Sequence, residues 1–165
     1  MNEQQAIERA RQYFLDEQNS YGCAETTFMV LKEAFSLPDP DDPSPAIALN
    51  GGVAYSGSLC GALTGAALAV GMLAERRISD HRLAKLVARQ IIAHLMDNFH
   101  ALHGALNCRE LIEMDLRDEE QYRRFIQSGL WRTRCMGQVE TAVRILVPLA
   151  DDDDWRKNLE EIIPS

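Results

Sequence analysis

Apolar residues recur along the chain at spacings of three and four, and no run alternates at period two over the length of a strand, so the pattern predicts an all-α protein. Ala6, Ile7, Ala10, Tyr13 and Phe14 mark a first helix over about residues 3–18, and Phe28, Leu31 and Phe35 a second from about Cys23 to Ser36. Pro38 ends the second, and the segment PDPDDPSP at 38–45 is turn chemistry that forbids a continuous helix. A short helical piece is expected at 44–50, followed by the glycine-rich turn NGGVAYSGS at 50–58. A third main helix is expected from about Leu59 to Arg76. The fourth and longest runs from about Asp80 to Leu102, with Leu83, Leu86, Val87, Ile91, Leu95, Met96 and Phe99 as its apolar stripe.

Asn107 with Glu110 three residues on reads as a capping box and predicts a helix start at Cys108. At least one helical turn falls around Glu119 to Ile126, and Val139, Ala142, Val143 and Leu146 mark a helix from about Cys135 to Val147. The DDDD run at 151–154 suits the positive end of a helix dipole, so it reads as a solvated cap and not as a metal site. It opens a last helix through Trp155, Leu159, Ile162 and Ile163. Without repeats or an interdomain linker, the elements make a single-domain bundle of about six helices.

Composition narrows the function. A chain of 165 residues, 46% of them hydrophobic, buries enough surface to fold without disulfides or metal, so special use of cysteine is expected to be chemical. With 17 basic against 25 acidic residues, a net charge of -8 and no basic stripe, nucleic acid is excluded as an expected partner. The charged, amphipathic first twenty residues mark no export, so a cytoplasmic location is expected. Residues 43–74 carry no charge, but their unbroken apolar part is shorter than the roughly 20 residues of a span and is rich in Gly and Ala; it reads as a buried helix, with no membrane span.

The cysteines are Cys23, Cys60, Cys108 and Cys135, with successive separations of 37, 48 and 27 residues, so zinc-finger spacing is absent, and no CxxCH permits c-type haem. Each stands at a predicted helix start, with Ser20 or Gly22 as the cap before Cys23, Ser58 before Cys60, Asn107 before Cys108 and Thr133 before Cys135. A thiol there faces free backbone N–H groups and the positive dipole end, which favours thiolate. Helices joined by short loops alternate direction, so the third helix leaves the end at Cys60, the fourth returns, and Cys108 starts back at the first end. At least three of the four sulfurs are therefore expected within roughly 8 Å of a common point. Cys60 is expected to react fastest, since Gly61 leaves its sulfur unshielded and the glycine-rich turn can direct N–H groups toward it. The alternative is that the cysteines are small buried hydrophobes in a non-redox helical interaction module.

These residues resemble a known family, the C-GCAxxG-C-C group of redox-active proteins, small bacterial and archaeal domains named for their cysteine pattern. The likeness rests on YGCAETTF around Cys23 and on the CGAxxG run Cys60, Gly61, Ala62, Leu63, Thr64, Gly65. It extends to GALNCRELIEMDL around Cys108 and to Cys135 before GQVETAV, covering Cys23 to about Leu149. The Pro/Asp-rich insert before the glycine turn and the acidic last helix depart from the pattern. The resemblance implies an all-helical redox domain, an oxidoreductase or electron carrier; related modules stand beside haem-bearing segments in electron-transfer proteins.

The expected site is a thiolate cluster of Cys23, Cys60, Cys108 and Cys135 holding an iron–sulfur or other metal centre, with an unmetallated dithiol/disulfide pair as its counterpart. Gly61, Gly65, Thr64, Asn107 and Arg109 are the residues expected around a bound group, and a redox partner protein and a homodimer are the partners these readings allow. Gly61, Gly65 and Ala69 form a small-residue ridge that lets a backbone or a bound group approach closely. The Thr27 and Thr64 hydroxyls, four residues after Cys23 and Cys60, are expected to bond their own helix backbone. His100 and His103 could share a helix face as ligands, while His94 lies on the apolar stripe. Arg109 and Arg134 beside Cys108 and Cys135 would favour thiolate. No GxSxG, P-loop, HExxH or dinucleotide fingerprint occurs.

Overall fold

The computed structural model of the chain describes residues 1–163. Its eight α-helices are α1 (Glu3–Phe14), α2 (Cys23–Ala34), α3 (Gly61–Arg77), α4 (His81–His103), α5 (Cys108–Ile112), α6 (Glu119–Gln127), α7 (Met136–Leu146) and α8 (Asp152–Ile162). Turns of 3-10 helix stand at Ser44–Leu49 and Val147–Ala150, and a π turn at Trp131–Cys135. Among the described residues there is no strand, only an isolated antiparallel bridge between Leu59 and Asn107. The fold is all-α, as the periodicity predicts.

α2 and α3 form the centre. In α2 the run Ala24 to Lys32 is buried throughout, and α3 buries the face that carries Gly61, Gly65 and Ala69 against it. A Cβ on Gly65 would collide with the carbonyl oxygen of Ala24, so this crossing brings two backbones into contact. The apolar second half of the charge-free segment thus lies inside the bundle as α3, and among the described residues no helix is long and apolar enough to cross a membrane.

α4 runs from its cap at Asp80, whose carboxylate accepts the Leu83 N–H at 2.8 Å, to Gly104, which takes the left-handed conformation at φ +81°. It buries Ala84, Val87, Ile91, Leu95 and Phe99. Leu86 and His94, placed on the stripe by the sequence pattern, are exposed; each sits one residue before a buried position, about 100° round the helix.

Lys32 is 2% exposed, an unusual place for an ammonium. Its Nζ donates to the carbonyls of Asp39 and Asp42 at 2.5 and 2.7 Å and lies 4.5 Å from the Phe28 ring centroid. The Pro/Asp-rich segment therefore wraps a buried cation with main-chain oxygens, which is what makes that burial tolerable. At the other end of the chain Asp151 caps α8 by accepting the N–H groups of Asp153 and Asp154, which hold its carboxyl below the usual range.

Candidate functional site

The cysteines reach one end of the bundle by two devices. The first is the bridge at Leu59 and Asn107: the Cys60 N–H donates to the Leu106 carbonyl at 2.9 Å, and the Cys108 N–H to the Ser58 carbonyl at 2.7 Å. Each cysteine is one residue past the bridge, and side chains alternate across extended backbone. Cys60 and Cys108 thus share a face as diagonal neighbours, a relation that typically spans about 7–8 Å. The second is the glycine-rich turn, in which Gly51, Gly52, Val53, Ala54 and Tyr55 have φ of +64°, +71°, +62°, +51° and +57°. Five successive residues in this region cost roughly 1–2 kcal/mol for each non-glycine, and such strain clusters at functional sites. Backbone bonds offset it, among them Ala54 N–H to the Ala48 carbonyl at 2.8 Å and Ser58 N–H to the Gly52 carbonyl at 3.0 Å.

This turn lays Gly51 against Cys23. Backbone N–H groups of Gly51, Ala24, Cys23 and Gly61 lie near enough to the Cys23 sulfur to favour its thiolate, a cup drawn from α2, the turn and the start of α3. Gly61 stands so close that a Cβ there would overlap the sulfur. The cup has its own support: Asn50 Oδ1 accepts the Ala24 N–H at 3.0 Å, Asn50 Nδ2 donates to Glu25 Oε2 at 2.8 Å, and the same carboxylate oxygen accepts the Gly22 N–H at 2.8 Å. The side chain that caps α2 thus comes from 26 residues away.

Cys23, Cys108 and Cys135 line one cavity of about 90 Å³. Its walls are Phe14, Leu116, Phe125 and Trp131, with Tyr55 and Tyr122 at its edge. Phe14 meets Trp131 edge-to-face at 5.7 Å, and Tyr55 meets Tyr122 likewise at 5.9 Å. Cys60 lies behind this wall, 2% exposed, its thiol donating to Gln138 Oε1 at 3.6 Å.

Burial pushes all four thiols up and outweighs the helix dipoles that the sequence reading relied on. Cys23 is raised least, because four N–H groups favour its thiolate. Cys108 is pushed up to about 12, and Cys60 and Cys135 are well raised. After burial, negative charge at Cys23 is the leading cause that raises each of the other three, so Cys23 is the electrostatic hub of the group.

Several expected details are corrected. Cys60 is the sealed cysteine and Cys23 the accessible one; Gly61 and the glycine-rich turn do direct N–H groups at a sulfur, but that of Cys23. Cys135 is not at a free helix start: the π turn runs straight into α7, and Thr133 donates to the Leu130 carbonyl instead of capping. Ser58 does not cap Cys60; its hydroxyl bonds Ser56. Asn107 occupies the cap position of α5 without a side-chain bond, its backbone being engaged in the bridge, so the capping box with Glu110 does not form.

Among the residues expected around a bound group, Gly61 lies against the Cys23 sulfur and Gly65 packs on α2. Thr64 bonds the Gly61 carbonyl, Asn107 is exposed, and Arg109 pairs with Asp115 at 2.8 Å. Thr27 Oγ1 finds no partner. Arg134 pairs with Glu113 and, after burial and the charges at Cys23 and Cys108, lowers Cys135 slightly. His103 bonds Thr141 Oγ1 at 2.9 Å while His100 is exposed, so they do not act as a ligand pair. Among the described residues no three His, Cys, Asp or Glu side chains are arranged to hold a metal ion, and Cys60 is withdrawn from the cavity that the other three cysteines line. The sequence reading missed Asn50, Glu25, Tyr55, Tyr122 and Trp131. Only Asn50 carried a signal, standing at the head of the glycine-rich turn.

An uncharacterized protein of Archaeoglobus fulgidus is 29% identical over 138 residues, 79% of this chain and 85% of its own length. No solved structure matches the chain. Residues 21–149 match the family described as "Putative redox-active protein (C_GCAxxG_C_C)", a span that contains all four cysteines and all of the cavity's lining residues but Phe14 and Asn19. The chain belongs to the C_GCAxxG_C_C family.

Proposed function

We propose that the protein carries out reversible thiol–disulfide exchange, with Cys23 as the attacking thiolate and Cys108 or Cys135 as the resolving thiol. The observation that carries this reading is the one cavity wall that Cys23 shares with two further cysteines, beside backbone N–H groups that favour its thiolate. A thiol pair fits that geometry better than the metal centre expected from sequence. No step is routed through a metal.

In the first step the Cys23 thiolate attacks one sulfur of a substrate disulfide; the Cys23–substrate bond forms, the substrate S–S bond breaks, and the departing thiolate takes up a proton. In the second, the resolving thiol loses its proton to solvent and attacks the Cys23 sulfur, releasing the other substrate thiol and leaving an intramolecular disulfide. The substrate is reduced by two electrons and the protein dithiol is oxidised; a reducing thiol reverses the sequence. The N–H cup supports Cys23 as thiolate both when it attacks and when it leaves.

The test is mass spectrometry of the reduced protein after treatment with a small disulfide. The expected product has lost two hydrogen atoms per chain and shows Cys23 linked to Cys108 or Cys135, and Cys23→Ser abolishes it. An intramolecular disulfide formed as fast among the remaining cysteines of Cys23→Ser, or stoichiometric iron or zinc in anaerobically purified protein, overturns the reading.

A further inference from the structure

The cavity restricts which disulfide can reach Cys23. None of the residues that line it is Asp, Glu, Lys, Arg or His. Its side-chain polar groups, all uncharged, are those of Asn19 and Asn50, the tyrosines, the Trp131 indole N–H and the thiols. Cations near the cysteines are occupied elsewhere: Arg109 pairs with Asp115, Arg134 with Glu113, and Arg132 lies over the Trp131 ring at 4.6 Å without lining the cavity. A charged substrate arm placed among Phe14, Leu116, Phe125 and Trp131 would lose its hydration without gaining a partner. The cavity is narrow, about 90 Å³, which favours a slender flank beside the reacting sulfur. The chain's net charge of -8 further repels anions at a distance.

We propose that the substrate class is a small uncharged organic disulfide with hydrocarbon flanks, whose chain lies against the aromatic walls while one sulfur meets the Cys23 sulfur. Tyr55 and Tyr122, 45% and 39% exposed, stand where such a molecule enters and set the selection by charge. This inference rests on the exchange reading above. The chemistry balances as written there, the substrate disulfide being the oxidant and the Cys23 pair the reductant.

Three linear disulfides of similar length separate the possibilities: bis(2-hydroxyethyl) disulfide is neutral, cystamine is a dication and dithiodipropionate a dianion. Rates of oxidation of the reduced protein are divided by the rates at which each disulfide reacts with a free small thiol, which removes intrinsic reactivity. The neutral compound is expected to be at least about tenfold faster than either charged one, since a buried unpaired charge is strongly penalised. Tyr122→Arg, at an exposed position, is expected to raise the dianion rate at least about fivefold and so narrow the gap. Tyr55→Arg repeats the test should the first variant fold poorly. Equal normalised rates, or a dianion rate unmoved by both arginine variants, overturn the substrate class while leaving exchange intact. If none of the three compounds oxidises Cys23, the exchange reading falls and this inference with it.

Discussion

α2 and α3 each begin at a cysteine, Cys23 as the first residue of one helix and Cys60 as the cap of the other, yet the two sulfurs live differently. Both face the positive end of a helix dipole. Cys23 additionally receives N–H groups from Gly51 and Gly61, outside its own helix, and opens on a cavity. Cys60 is favoured only by the Ala62 N–H, spends its own thiol hydrogen on Gln138 and is sealed from solvent. A helix start is therefore not what distinguishes a reactive thiol here; the distinction comes from what distant parts of the chain bring to it.

The contrast breaks most severely at the helix crossing that holds the two starts together. Gly65→Leu forces side-chain atoms into the Ala24 carbonyl, and since overpacking typically costs about 1–3 kcal/mol before any backbone displacement, loss of folding or a fall at the top of that range is expected in thermal melts. An unchanged melting temperature would show that α2 and α3 do not touch there. A direct measure of the contrast is brief alkylation at neutral pH with peptide mapping. Cys23 should be labelled first and Cys60 last, at least about tenfold apart, because access and thiolate fraction both favour Cys23. Cys60 labelled first would reverse the assignment.

Asn50→Ala tests the support of the cup. Removing a helix cap costs about 0.5–2 kcal/mol, and here Cys23 alkylation should slow as well, whereas Asn2→Ala at the cap of α1 should lower stability alone. Equal effects of both variants on Cys23 would make Asn50 merely structural. The smallest effect is one of pH. Cys108 has its thiol raised from 9.0 to about 12 in the fold, so the neutral form is favoured by folding. The resulting stability is complete below pH 9 and is lost as pH rises toward 12. Denaturation midpoints should be flat from neutrality to about pH 9 and fall above it, and Cys108→Ala should lessen that fall, to which the other raised thiols also contribute.

Much of the scaffold was legible because it is local. The spacing of Val87, Ile91, Leu95 and Phe99, the cap at Asp80 and the proline after α2 place helices to within a few residues. The first residue of α2, the cap of α3 and the first residue of α5 are the cysteines the pattern named. What stayed hidden was non-local. Val53, Ala54 and Tyr55 have no intrinsic preference for positive φ, and their conformation is imposed by backbone bonds to residues 48–50. Asn50 caps a helix that begins 27 residues earlier, and the π turn before Cys135 depends on carbonyls that any sequence supplies. The right glycines were identified, but which sulfur they serve is decided by the crossing of α2 over α3.

The bridge between Leu59 and Asn107 has a consequence for the order in which the molecule assembles. It joins residues 48 apart, so its closure carries the entropy of a long loop, a cost that pairing of α3 with α4 reduces by bringing those ends together. Cys60 and Cys108 therefore come together late in folding, when Cys60 is already being enclosed. A newly made chain exposed to oxidant passes through a window in which four separated thiols can pair wrongly, and the bridge closes that window. Refolding yield should depend on keeping the thiols reduced until helical content has fully recovered, and little on oxidant added afterwards.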